Sequence, residues 1–366
     1  MMETQAADHA GPLSGLRVVE FAGIGPTPFA CMMLADMGAD VVRIERPGLS
    51  AQESPLILRG RRRVALDLRD ARSLGSAKAL AAAADVLVEG FRPGVMERLS
   101  LGPEELMGSN PRLVYARMTG WGQTGPRAHE AGHDINYISI TGALEAIGPR
   151  RGPPSVPLNL VGDYGGGALY LAVGILAALH TARTSGRGQV VDCAICDGAA
   201  SLMSLFHQWQ QLGNWRAQRQ ANVLDGGAHF YGTYECADGR FIALGAIEPQ
   251  FYAQLVKRAG LDPSVFSLQG DPSTWEDLRL QLTQIFLQRS AADWLQLLDG
   301  HECCVTPVLS LEESRRDPHL AARGVFARVD GVDHVAPAPR FMGTPSSIRP
   351  GAECTSVEAI LDGWAH

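Results

Sequence analysis

The sequence predicts an α/β protein: a doubly wound large domain followed by a smaller α+β domain. Three observations carry that prediction. Short apolar runs alternate with helical patterns up to about residue 200, each punctuated by Gly or Pro. Beyond that point the pattern changes to two short strands joined by a tight turn, then helices. The 366 residues also exceed the usual size of one domain.

In chain order, Leu16–Phe21 reads as a buried strand and Ala22–Pro28 as a Gly/Pro turn. A helix follows over Phe29–Met37, stopped at Gly38, and Asp40–Glu45 is the next strand. A strand–helix–strand unit implies parallel pairing with helices on both sheet faces. Val64–Leu68, a helix over Ala71–Ala84, Val86–Glu89 and Arg112–Thr119 continue the alternation, which makes the large domain Rossmann-like. The apolar stretch Leu169–Leu179 predicts a core helix, too short to span a bilayer. Later, Phe230–Cys236 and Arg240–Gly245 flank Ala237-Asp238-Gly239 as a hairpin, with helices over Pro249–Ala259, Trp275–Gln288 and Ala291–Leu298. The domain boundaries expected are 1–200 for the large domain, 201–223 for a helical linker and 224–329 for the small domain. Residues 330–366 are expected to return to the large domain.

Composition narrows the function. With 32 basic against 39 acidic residues the net charge is −7, which argues against a nucleic-acid partner. Seven scattered cysteines include one C-x-x-C, Cys193 and Cys196, with no second pair or histidines at zinc spacing; no metal is expected. The polar start MMETQAADHAGP lacks an apolar signal segment, so the expectation is a cytoplasmic protein with no membrane partner. Gly23-Ile24-Gly25, with Glu45 downstream, imitates a dinucleotide fingerprint. Pro28 replaces its third glycine, so the segment reads as a turn with helix-opening prolines, and no redox cofactor is expected.

Three segments gather polar groups among glycines: Gly132-His133-Asp134-Ile135-Asn136-Tyr137, Asn159–Gly167 around Asp163, and Gly245–Gln250 around Glu248. Each has a plain structural reading beside a chemical one. Asp163 suits an N-cap as well as a reacting carboxylate, His133 a structural histidine, and Glu248 a cap before Pro249. Together they suit proton removal beside a carbonyl. That chemistry needs a base, a second acid–base group on the opposite face, and donors for the enolate oxygen; N–H groups at a Gly-rich helix start can provide the last.

The runs AGHDINY, PLNLVGDYGGG, NVLDGGAHFY and GAIEPQFY, with ARMTGWGQTGP before them and CVTPVL after, resemble the racemase branch of the class III CoA-transferase family. The likeness extends from about Gly11 to Arg340. It implies that His133 and Asp163 are the acid–base pair, that Glu248 hydrogen-bonds the histidine, and that Asn159 helps hold the aspartate. The implied reaction inverts the 2-methyl centre of 2-methylacyl-CoA thioesters by proton transfer through an enolate. The implied assembly is an intertwined homodimer, and coenzyme A enters only as part of the substrate. Asp134 suits either support of the His133 ring or a helix cap.

Arg46, Arg92 and Arg98 are the expected CoA contacts by similarity, with Tyr137, Gly165 and Gly166 lining the substrate site. Arg59, Arg61, Arg62 and Arg63 form a basic stretch that could reach phosphate or simply face solvent. Met32, Met33 and Met37 read as core. The rival reading within the same family is CoA transfer, with Asp163 attacking the thioester as a covalent nucleophile. Glu248 stands where transferases carry a glycine-rich loop, and His133 would have no task there, which favours inversion. His229 stands where the family pattern suggests proline, with either the substrate channel or solvent as its expected surroundings.

Overall fold

The computed structural model describes residues 11–48, 56–351 and 354–365. The polar start considered above lies almost wholly outside them. Two compact units emerge, each with its own core. The first comprises the described residues of Met1–Thr141, Leu158–Met203 and Pro318–His366, the second Gly142–Pro157 and Ser204–Asp317.

The first unit is built on six parallel strands: β1 (Arg17–Phe21), β2 (Asp40–Glu45), β3 (Arg61–Ala65), β4 (Val86–Glu89), β5 (Val114–Thr119) and β6 (Val190–Ala194). Their order, β3-β2-β1-β4-β5-β6, reverses between β1 and β4. That reversal opens a crevice at the carboxyl ends of the strands, where doubly wound sheets bind ligands. Successive residues of each strand serve opposite faces. Val18, Val41, Val88 and Val114 join one core with Leu34, Leu171 and Ile175. Val19, Val42, Leu87 and Tyr115 join the other with Leu80 and Ile360. The helix Val357–Ala365 thus brings the chain end back onto the second face, and a hairpin of β10 (Phe326–Val329) and β11 (Val332–Val335) belongs to the same unit.

The basic stretch departs from both expectations for it. Arg61, Arg62 and Arg63 open β3, three residues ahead of the predicted strand, because each has a carboxylate to neutralise it. Arg61 Nε donates to Glu20 at 2.9 Å, Arg43 Nη1 reaches the same carboxylate at 2.5 Å, and Arg63 pairs with Glu45 at 2.8 Å. Arg62 bonds Asp40, and Arg59 clasps Asp36 at 2.5 Å. Glu20, Arg43 and Arg61 are fully buried. Buried charges persist only when paired and hydrogen-bonded, so these arginines hold the sheet; Arg62 and Arg63 keep part of their surface in solvent, but none stands free for phosphate.

Length corrects another expectation. A π-helical stretch, Leu160–Leu169, runs directly into the helix Tyr170–Ser185, and the combined 26 residues are long and apolar enough to cross a membrane by length and composition. Half of that apolar stretch is buried inside the unit. Ala168, Leu171, Ile175 and Ala178 pack in the sheet core, as the sequence led us to expect of a core helix.

The second unit has an antiparallel sheet of β7 (Tyr231–Glu235), β8 (Phe241–Gly245) and β9 (Val305–Pro307). The helices Pro249–Arg258, Trp275–Phe286 and Ala291–Leu298 cover it through Leu255, Leu282, Phe286 and Trp294. His229 belongs to this core, which excludes a solvent-facing role. It is fully buried beside Phe230, with Nε2 2.7 Å from the Tyr252 hydroxyl. Burial and the nearby Arg279 push its pKa down to about 4, so the ring is neutral at ordinary pH.

Candidate active site

The crevice end of the sheet is where His133, Asp134 and Asp163 gather. After β5 the chain passes through Gly120-Trp121 and enters the short helix Asp134–Ser139, with exposed His133 as its N-cap. Asp163 arrives from the π-helical stretch, where the Tyr164 N–H bonds back five residues to the Asn159 carbonyl at 3.1 Å. Such widened turns recur at functional sites because they displace a side chain from regular helical register.

Asp163 is locked to Asp134. Its backbone N–H donates to Asp134 Oδ1 at 2.6 Å, and this approach requires Gly162, where a Cβ would lie 2.2 Å from the same oxygen. Asp134 therefore acts across space on Asp163. The contact also removes the Asp163 amide from the donors available to an enolate oxygen. The other Asp134 oxygen, Oδ2, is buried without a hydrogen-bond partner among the described residues.

The Asp163 carboxyl is half-buried, and its pKa is pushed up to about 6. Burial is the main cause and the Asp134 charge the second, while His133 pulls in the opposite direction. A carboxyl near 6 exists in both protonation states around neutrality, as a reversible acid–base group must. Gly25 supplies the remaining wall. It caps the helix Pro26–Asp36 at φ 69°, and a Cβ there would stand 2.8 Å from Asp163 Oδ2. The turn read as plain helix-opening thus touches the reacting carboxylate. Its signal was the pair of glycines before Pro26, without anything to say what would approach them.

The other predicted residues divide. Arg92 lines a cavity of about 230 Å³ together with His133, Tyr137, Trp121 and Gly90. Arg46 lines a separate cavity of about 320 Å³ over the ends of β1 and β2, with Phe21, Phe91 and Arg69. Arg98 is exposed at the end of the helix Val95–Arg98. None of these three arginines forms an ion pair among the described residues, in contrast to the buried set on β3. Asn159 contributes its backbone carbonyl to the π-helical stretch, and no side-chain bond joins it to Asp163 among the described residues.

Gly165 and Gly166 face protein. A Cβ on Gly165 would meet the Leu160 carbonyl at 2.8 Å, and one on Gly166 the Ala199 amide at 2.6 Å, so both serve close packing. Tyr137 also turns inward, its hydroxyl donating to the Gly132 carbonyl. Glu248 is exposed at the start of the helix Pro249–Arg258, within the second unit, where its carbonyl accepts the Phe251 and Tyr252 N–H groups. Among the described residues no cluster of His, Cys, Asp and Glu could hold a metal ion, and all seven cysteines are free thiols.

Residues 13–352 match CoA-transferase family III. The chain belongs to that family. Among its relatives, an alpha-methylacyl-CoA racemase from Mus musculus is 45% identical over 336 residues, covering 91% of this chain and 87% of the mouse protein. The Homo sapiens alpha-methylacyl-CoA racemase is 44% identical over 335 residues, with the same coverage. The fold agrees with a CAIB/BAIF family protein from Brucella suis at a TM-score of 0.84, with 24% identity, covering 97% of this chain and all of that one. The family's members share a scaffold, so the residues around Asp163 must decide which chemistry this one performs.

Proposed function

We propose that this protein is an alpha-methylacyl-CoA racemase: it inverts the 2-methyl centre of 2-methylacyl-CoA thioesters by moving one proton between His133 and Asp163. The observation that carries the reading is the half-buried Asp163 carboxyl, its backbone N–H held by Asp134 Oδ1 at 2.6 Å and its charge within electrostatic reach of His133. The 45% identity to the mouse racemase supports it.

The chemistry follows from the proton count. In one direction the unprotonated His133 imidazole takes the α-proton while protonated Asp163 delivers its own to the opposite face. In the other direction the roles exchange. Between the two steps the electron pair of the broken C–H bond resides on the enolate oxygen. A single proton is shared across the site, so Asp163 must be able both to hold and to release it. Arg46, Arg92 and Arg98, without an ion pair among the described residues, are cations suited to the phosphates of coenzyme A. An intertwined homodimer, with Glu248 of one copy supporting His133 of another, completes the reading. The free thiols suit a reducing compartment such as the cytoplasm.

The deciding experiment incubates the enzyme with a single enantiomer of a 2-methylacyl-CoA in deuterated water. Deuterium at the α-carbon together with loss of optical purity is the expected result. No exchange, with coenzyme A appearing on an added carboxylate, would overturn the reading in favour of transfer through an Asp163 anhydride.

A further inference from the structure

The amide between Gly132 and His133 is held at both of its polar ends by the helix that follows it. Asn136 Oδ1 accepts the His133 N–H at 3.0 Å, and the Tyr137 hydroxyl donates to the Gly132 carbonyl oxygen. Both backbone atoms belong to one planar group. Gripping both ends fixes its rotation, and with it ψ of Gly132 and φ of His133, found at −134°. Those angles decide where the His133 side chain begins.

The grip is built into the surrounding packing. A Cβ on Gly120 would fall 2.0 Å from the Tyr137 ring, and one on Gly132 would fall 2.7 Å from it. Only glycines allow the ring to lie there. Trp121 closes the far side, edge-to-face with Tyr137 at 4.8 Å between centroids, and Arg127 lies 5.5 Å over Trp121. His133 itself is exposed, so the place from which its side chain starts depends on this amide.

We infer that Asn136 and Tyr137 are positioning residues for the inversion, a paired clamp that aims the His133 imidazole at the substrate α-carbon. The inference rests on the racemase reading and takes the Tyr137 hydroxyl out of the set of substrate contacts. Its consequence is directional. When His133 is misaimed, the enantiomer whose α-proton faces Asp163 is still deprotonated, and the electron pair passes to the enolate. His133 then delivers a proton to the other face slowly. Meanwhile the Asp163 proton exchanges with solvent, and a new C–D bond forms on the original face. Exchange outruns inversion for that enantiomer alone.

The test compares the full-length enzyme with Asn136→Ala, Tyr137→Phe and Asn136→Asp, using each enantiomer separately in deuterated water. For the first two variants kcat should fall roughly tenfold, with KM changed by less than about twofold. Their ratio of deuterium uptake to inversion should rise for one enantiomer only. Asn136→Asp keeps an acceptor oxygen and should restore most of the rate. A racemising parent enzyme whose Asn136→Ala and Tyr137→Phe variants keep full kcat would overturn the clamp, as would a ratio raised equally for both enantiomers. A raised KM at constant kcat in Tyr137→Phe would overturn it too, returning Tyr137 to substrate contact. A parent enzyme that exchanges no α-proton removes the racemase reading itself, and the clamp with it.

Discussion

Asp134 Oδ1 accepts the backbone N–H of Asp163 at 2.6 Å, so two carboxylates from segments 29 residues apart share one corner of the crevice. The contact fixes the Asp163 backbone and sets a negative charge beside its carboxyl. Burial and that charge raise the Asp163 pKa from an ordinary 3.8 to about 6. In the direction in which Asp163 takes the α-proton, the acidic limb of the kcat/KM profile is therefore expected near pH 6. In Asp134→Asn the amide oxygen still accepts the N–H while the charge is gone. The limb should move toward the usual carboxylate range, and an unmoved limb in a pH titration of the variant would exclude Asp134 as its cause.

The same shift makes a statement about stability. Between pH 3.8 and about 6 the folded protein holds a proton on Asp163 that the unfolded chain has released. Stability from this group therefore falls as pH rises through that window, and the group is a net cost at neutrality. Discounted for the solvent that still reaches a half-exposed carboxyl, the cost is about 1 kcal/mol. Asp163→Asn should abolish inversion and raise the urea midpoint at pH 7, with the gain vanishing near pH 4. A variant destabilised at pH 7 would contradict this.

Gly25 is expected to be intolerant of any side chain. Its φ of 69° disfavours other residues, and an added Cβ would stand 2.8 Å from Asp163 Oδ2. Gly25→Ala should cost about 1–2 kcal/mol of stability from the backbone alone. It should also displace the carboxylate and lower kcat by about a hundredfold. Steady-state kinetics beside a thermal melt separate the two effects, and a folded variant with unchanged kcat would place Asp163 elsewhere.

Arg61 offers the opposite pattern. Its guanidinium pairs with buried Glu20 and donates to the Ile57 and Pro28 carbonyls. Arg61→Met should cost about 3–5 kcal/mol, because it leaves those acceptors short of partners in a dry interior. KM for the acyl-CoA should hold in whatever fraction remains folded. Urea denaturation together with KM decides the matter: a weakened KM with intact stability would make Arg61 a ligand contact after all.

Much of the fold was legible because short apolar runs and Gly/Pro punctuation are local signals. The strands Asp40–Glu45 and Val86–Glu89 and the helix Ala291–Leu298 stand where their patterns put them. Two of the features that escaped show why. The strand Val190–Ala194 carries Asp192 in a short run and announces itself only by pairing with Val114–Thr119. The strand Arg61–Ala65 opens with three arginines, which become strand residues only because Glu20, Asp40 and Glu45 come from neighbouring strands to neutralise them.

The site divides along the same line. The sequence by itself determined which groups carry charge and protons, His133, Asp134 and Asp163 among glycines, and the chemistry those groups can perform. It left open whether Asp134 capped a helix or supported a neighbour, and it read the Gly23–Gly25 turn as plain. Tertiary structure alone decided that Asp134 reaches Asp163, that Gly25 walls its carboxylate, and that Tyr137 grips Gly132. The reason is physical: side-chain identity is written locally, whereas a pKa or the aim of a ring depends on which distant atoms the fold brings within a few ångströms.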